Sequence, residues 1–140
     1  MYLLDTVVLS ELRKSERNSG VVAWFEEKKD SELFLSVLTI GEIRKGICQQ
    51  ESKNPQFAAR LSEWLDALLY AYGSRVLPLS TAVALEWGML SCRTGNSSAN
   101  GLIAATAKVH NLTVITRNTK HFEQAGVSFF NPWTATGNCS

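Results

Sequence analysis

Short apolar runs set between helix-patterned segments constrain this chain more than any other feature. Four runs read as buried strands, Tyr2–Leu4, 33–35, Val76–Leu77 and Thr113–Ile115, with a weaker fifth at 127–130. Between them, apolar residues recur at helical spacing. Phe57, Leu61, Trp64, Leu65, Leu68 and Tyr72 trace one helical stripe, with Pro55 where a first turn tolerates it. Segment 100–110 has almost no polar face before Lys108, so this helix is expected to be nearly enclosed. Strands this apolar need cover on both faces. Alternating with helices, they predict an α/β fold: a three-layer sandwich with a short, mostly parallel sheet flanked by helices. The 140 residues suffice for one domain, 1–140, with 134–140 expected as a loose tail.

Composition narrows the function without naming it. Lys and Arg number 14 and Asp and Glu 13, a formal net charge of +1, so any nucleic-acid binding must come from a local patch. Cys48, Cys92 and Cys139 form no pair with metal or redox spacing. They read as small hydrophobes, Cys139 as a tail residue, in a reducing compartment. No apolar run approaches the ~18 residues that span a bilayer, and the N-terminal run breaks at Asp5 without a basic leader. The expectation is a cytoplasmic protein with no membrane partner.

In open parallel sheets, ligands bind beyond the carboxyl ends of the strands. The polar exits here are Asp5–Thr6 after the first strand and Thr116, Arg117 and Asn118 after the fourth. Two readings of Asp5 stay open: a cap for the helix beginning near Thr6, or a functional acid. Glu42 lies about 200° around its helix from Ile40, well off the stripe of Ile43 and Ile47, as a solvated glutamate or one facing a cleft would. Arg13, Lys14 and Arg17, with Arg44 and Lys45, read either as a phosphate-contacting patch or as a solvated face.

Several segments together resemble the PIN-domain ribonucleases, specifically the VapC-type toxins of toxin–antitoxin pairs. They are residues 1–6 (MYLLDT), 8–13 (VLSELR), 35–46 (LSVLTIGEIRKG), 101–107 (GLIAATA), 114–118 (VITRN) and 130–133 (FNPW). The resemblance implies a metal-dependent endoribonuclease, with acids converging on Mg²⁺ or Mn²⁺. It also implies a VapB-like antitoxin, an RNA substrate and a homodimer. Such ions take oxygen ligands, often one or two carboxylates plus substrate phosphates, and activate water for phosphodiester hydrolysis. Carried over, the first acid falls on Asp5 and the second on Glu42, which should converge across one cleft.

Two departures bear on activity. The third acid of the pattern falls on Asn100, an amide without charge, and Val7 stands where these toxins usually carry asparagine. The last acidic position is less defined: Asn118 occupies the polar turn, and His121 stands where many relatives have an acid. The implied catalytic set is Asp5, Glu42, Asn100 and Asn118, with Asp5, Glu42 and Asn100 toward metal. Asn100 also reads as the N-cap of its helix, and Asn100–Gly101 as a deamidation-prone pair. Three functions compete: an endoribonuclease toxin impaired at Asn100, an inactive PIN-domain protein that only binds its antitoxin, and a receiver-like domain with Asp5 as phosphate acceptor. The last lacks an acidic neighbour for Asp5 and a well-placed lysine.

Overall fold

Five strands form one sheet in the computed structural model, which describes residues 1–95 and 97–134. They are β1 (Tyr2–Leu4), β2 (Leu33–Ser36), β3 (Val76–Leu77), β4 (Thr113–Ile115) and β5 (Phe129–Phe130). Their order is β3-β2-β1-β4-β5, and every pairing is parallel. Seven α-helices lie among the described residues. Helices α1 (Thr6–Arg13) and α2 (Ser19–Glu26) connect β1 to β2, and α3 (Val37–Glu51) and α4 (Pro55–Tyr72) connect β2 to β3. Helices α5 (Thr81–Thr94) and α6 (Ala99–His110) lead to β4, and α7 (Thr119–Ala125) leads to β5.

The strand alternation builds two cores. Leu4, Leu33, Leu35 and Ile115 pack with Val8, Val21, Ile43, Ile47 and Leu65 on the α1–α4 side. Leu3 and Val114 pack on the opposite side with Val83, Ile103, Ala104 and Phe122 of α5–α7. Neighbours such as Leu3 and Leu4 face opposite ways because strand side chains alternate. Fully burying each such residue is worth roughly 1.5–3 kcal/mol. The three-layer expectation holds.

Helix α4 starts where Pro55 implied, with the Asn54 side-chain Oδ1 accepting from the Phe57 amide at 3.2 Å. It stops at Gly73, whose φ of 51° is a conformation that favours glycine.

Three expectations need correction. The fifth strand is only Phe129–Phe130, because Val127 is buried against the α5–α7 core before pairing begins. Cys48 and Cys92 are exposed, since both fall on the outer faces of their helices. Helix α6 is enclosed over Ile103–Ala107 but opens at Lys108, Val109 and His110. Trp24 is core, packed edge-on against Tyr2 at 5.1 Å, while Phe25 and Trp64 are half-buried. The tail at 135–140, with Cys139, lies outside the described residues.

The strand order positions the site. From β1 the chain crosses to β2 on one side, whereas β4, the other neighbour of β1, continues to β5 on the opposite side. The carboxyl ends of β1 and β4 therefore flank a topological switch point, where open α/β sheets leave a crevice.

Candidate active site

Asp5 leaves β1 at this crevice, its amide donating to the Ile115 carbonyl at 3.0 Å. It is the N-cap of α1 and also lines the cleft, so the two readings of Asp5 describe one residue. Its Oδ1 accepts from the Thr6 amide at 2.8 Å, and its Oδ2 accepts from the Thr116 hydroxyl at 2.8 Å. Thr116 is fully buried and its Oγ1 also accepts the Asn118 amide at 2.9 Å. One hydroxyl thus ties Asp5 to the turn after β4.

Glu42 reaches the same cleft from the exposed face of α3, with Ile43 and Ile47 turned into the core. Its Oε1 accepts from the Thr6 hydroxyl at 2.7 Å. The Thr6 and Thr39 hydroxyl oxygens are also 3.2 Å apart. A threonine hydroxyl has one hydrogen. With the Thr6 hydrogen committed to Glu42, Thr39 supplies the hydrogen of the second contact. Thr6 therefore holds both acids, Asp5 through its backbone and Glu42 through its side chain. Thr39 carried no sequence signal, being one buried threonine among the apolar residues of α3.

The cleft has a volume of about 460 Å³ and is lined by Asp5, Thr6, Val7, Glu42, Asn100, Arg117 and Asn118. All four implied site residues come together here. Asn100 is not the helix cap: the N-cap of α6 is Ser98, and Asn100 sits in the first turn. Its amide makes no hydrogen bond among the described residues, and it also borders a small cavity of about 20 Å³ shared with His121 and Gln124. The Gly101 amide donates to the Ser98 carbonyl at 3.0 Å. That bond and the helical backbone hold the nitrogen that would attack Asn100, so the helix disfavours the expected deamidation.

Electrostatics set Asp5 apart. Burial pushes its carboxyl above the ordinary value, the hydrogen bonds from Thr116 and Thr6 oppose the shift, Glu42 adds to it and His121 reduces it. His121 thus acts on the site from α7 and is half-buried, whereas His110 is an exposed residue at the end of α6. Glu86 of α5, outside the cleft, is half-buried with Lys108 3.2 Å from its Oε2. The cationic residues 13–17 are engaged with their own neighbours. Arg13 lies over Phe57 and Trp64, Lys14 pairs with Glu11 at 3.0 Å, and Arg17 bonds the Lys14 carbonyl.

Two carboxylates and two amides around one cleft offer hard oxygen donors to a cation. No group of three His, Cys, Asp or Glu able to hold a metal occurs among the described residues.

The chain belongs to the PIN domain family, whose model matches residues 2–127. Within that family it is of the VapC toxin type. It is 36% identical to Toxin FitB of Neisseria gonorrhoeae, over 95% of this chain and 99% of that one. It is also 36% identical to VapC ribonuclease Y4jK of Sinorhizobium fredii, over 95% and 98%. The crystal structure of FitAcB from Neisseria gonorrhoeae superposes with a TM-score of 0.87 at 37% identity, covering 95% of this chain and 99% of that one. A toxin–antitoxin complex from Klebsiella pneumoniae matches with a TM-score of 0.66 at 25% identity, over 94% and 98%.

Proposed function

We propose that this protein is a metal-dependent endoribonuclease toxin neutralised by a VapB-like antitoxin, with activity reduced by Asn100. The observation that carries the reading is the meeting of Asp5 and Glu42 in one cleft at the switch point, both held by Thr6. The donor set fits Mg²⁺ or Mn²⁺ in kind, being entirely oxygen, and is minimal in charge. Asp5 and Glu42 would hold the ion, with the amide oxygens of Asn100 and Asn118 beside them. A bound divalent ion supplies an activated water and offsets the charge that grows on the phosphate during hydrolysis.

The chain's own residues do the orienting. Thr116 and the Thr6 amide both donate to the Asp5 carboxyl and so favour its ionised form, opposing the larger upward pull of burial. Thr6 aims Glu42 and leaves its Oε2 without a hydrogen bond among the described residues. Asn100 contributes a dipole where a carboxylate would contribute a full charge, so one ion is held weakly and a second hardly at all.

The antitoxin is inferred from the toxin–antitoxin complex among the structural relatives. A groove of about 360 Å³, walled by Leu9, Leu12, Phe25, Trp64 and Leu68, suits an apolar partner segment. The homodimer is inferred from exposed Leu85 and Met89, one turn apart on α5. The cytoplasm is the setting in which such a ribonuclease meets RNA, and no described helix is long and apolar enough to cross a membrane.

A second reading, a PIN-domain protein that binds its antitoxin without cutting RNA, is favoured by Asn100 alone. Cleavage of single-stranded RNA by the purified chain in Mn²⁺ separates the two. The first reading expects slow cleavage that disappears in Asp5→Asn and rises in Asn100→Asp. Cleavage that survives Asp5→Asn would overturn it, and no cleavage even by Asn100→Asp would favour the binding-only protein.

A further inference from the structure

Arg117 follows directly after the threonine that holds Asp5, and it is the one cationic side chain lining the cleft among the described residues. Its guanidinium lies over the Trp133 ring, 5.2 Å from the centroid. A guanidinium stacked by its face keeps its edge, with five N–H donors in a rigid fork, available for hydrogen bonding. That edge makes no hydrogen bond or ion pair among the described residues, and Glu11 is felt only at longer range. Lys14, Arg44 and Arg13, cations on or next to α1 and α3 with partners of their own, differ. Lys14 is committed to Glu11, Arg44 to Glu51 at 3.7 Å, and Arg13 stacks on rings away from the cleft.

An arginine braced by an aromatic ring beside two carboxylates matches a phosphate, because its fork suits paired oxygens. It also supplies positive charge where the acids alone would repel RNA. We propose that Arg117 is the residue that seats the RNA phosphate in the cleft, with Trp133 as the brace that fixes its orientation. This rests on the ribonuclease reading and adds the part of the site that touches substrate. The contact is with the backbone phosphate and carries no base preference.

The test uses the full chain in EDTA, so that the RNA stays intact. A fluorescein-labelled single-stranded RNA dodecamer is titrated by anisotropy between about 50 and 200 mM salt. Arg117→Ala should raise Kd about tenfold. It should also flatten the slope of log Kd against log salt by about 0.7, the loss of one phosphate contact on a single strand. Arg117→Lys should restore the slope, and Trp133→Leu should keep the slope while weakening Kd by a smaller factor. Calorimetric Mn²⁺ binding should be no weaker in Arg117→Ala than in the parent, since loss of a nearby positive charge favours a cation, whereas a general disturbance of the site would weaken it. An unchanged salt slope in Arg117→Ala overturns the proposal. If the parent still cleaves RNA in Mn²⁺, the ribonuclease reading then stands without it. If the parent neither binds nor cleaves RNA, both fall.

Discussion

Asp5 and Glu11 stand toward opposite ends of α1, and each is 8% exposed. Yet Asp5 lies deep in the fold and Glu11 close to its surface, and their environments act on them in opposite directions. Burial outweighs the hydrogen bonds at Asp5 and pushes its carboxyl up. At Glu11 the hydrogen bonds outweigh burial and hold the carboxyl below its ordinary value. Glu11 accepts from the Asn18 amide at 2.8 Å and from Lys14 at 3.0 Å, and Asn18 in turn caps α2 through Gly20 and Val21. Its charge is balanced inside the fold. The charge of Asp5 is not, and it opens onto a cleft beside a second acid. Two acids with the same exposure thus separate into a structural one and one kept for a ligand.

The sharpest way to break this contrast is Asp5→Asn. Outer-shell partners of metal sites are themselves worth about 10–100-fold, so loss of a ligand should lower RNA cleavage by more than about a hundredfold. Stability should move the other way. The folded state takes up the Asp5 proton at higher pH than the unfolded chain, so the burial of its charge counts against the fold above the raised value. That cost shrinks as pH falls toward 3.8. In chelator, Asp5→Asn should therefore melt at or above the parent temperature at pH 7, with the difference closing in acid. A variant that both melts lower and keeps cleaving would erase the distinction.

Thr116→Val should produce the next effect. It keeps the shape but leaves Asp5 Oδ2 and the Asn118 amide without their shared partner, which costs about 1–3 kcal/mol. Chemical denaturation at neutral pH reads this directly. The loss should lessen in acid, where a protonated Asp5 no longer needs the hydroxyl's hydrogen.

Glu11→Gln should have the smallest effect and the opposite pH signature. A depressed folded value stabilises above the ordinary carboxylate value of 4.5 and is lost as pH falls through the folded value. The variant should melt slightly below the parent at pH 7, match it in strong acid and cleave RNA at the parent rate. A cleavage defect would place Glu11 with the site rather than with the fold.

Much of this architecture was readable from residue order. Strands β1 and β4 coincide with apolar runs because they lie inside a parallel sheet covered on both faces. The spacing in α4 marked its buried face for the same reason. Strand β3, also an apolar run, is a half-buried edge strand rather than the buried one expected. The ends of elements were harder to read. Asn100 is a good capping residue by type, yet Ser98 holds the cap, because where a first turn begins depends on how α6 packs against α5. The exposure of Cys48 and Cys92 was hidden because a small thiol suits either environment. At the site, Asp5 was marked by its strand exit, whereas Glu42 depended on family likeness. An exposed glutamate on a polar helix face looks the same whether it meets water or a cleft. Arg117 was noticed only as part of a polar turn. Its brace, Trp133, joins it through the fold.

Mn²⁺ titration by calorimetry of the parent, Asp5→Asn and Asn100→Asp tests the central claim, that Asp5 and Glu42 form a cation site left short of charge by Asn100. The parent should bind one equivalent weakly and Asp5→Asn none that is measurable. Asn100→Asp should bind about tenfold more tightly, since one added charge is worth about 1–4 kcal/mol at ~4 Å near a protein surface. Equal Mn²⁺ binding by all three proteins, or two tight equivalents in the parent, would contradict the account.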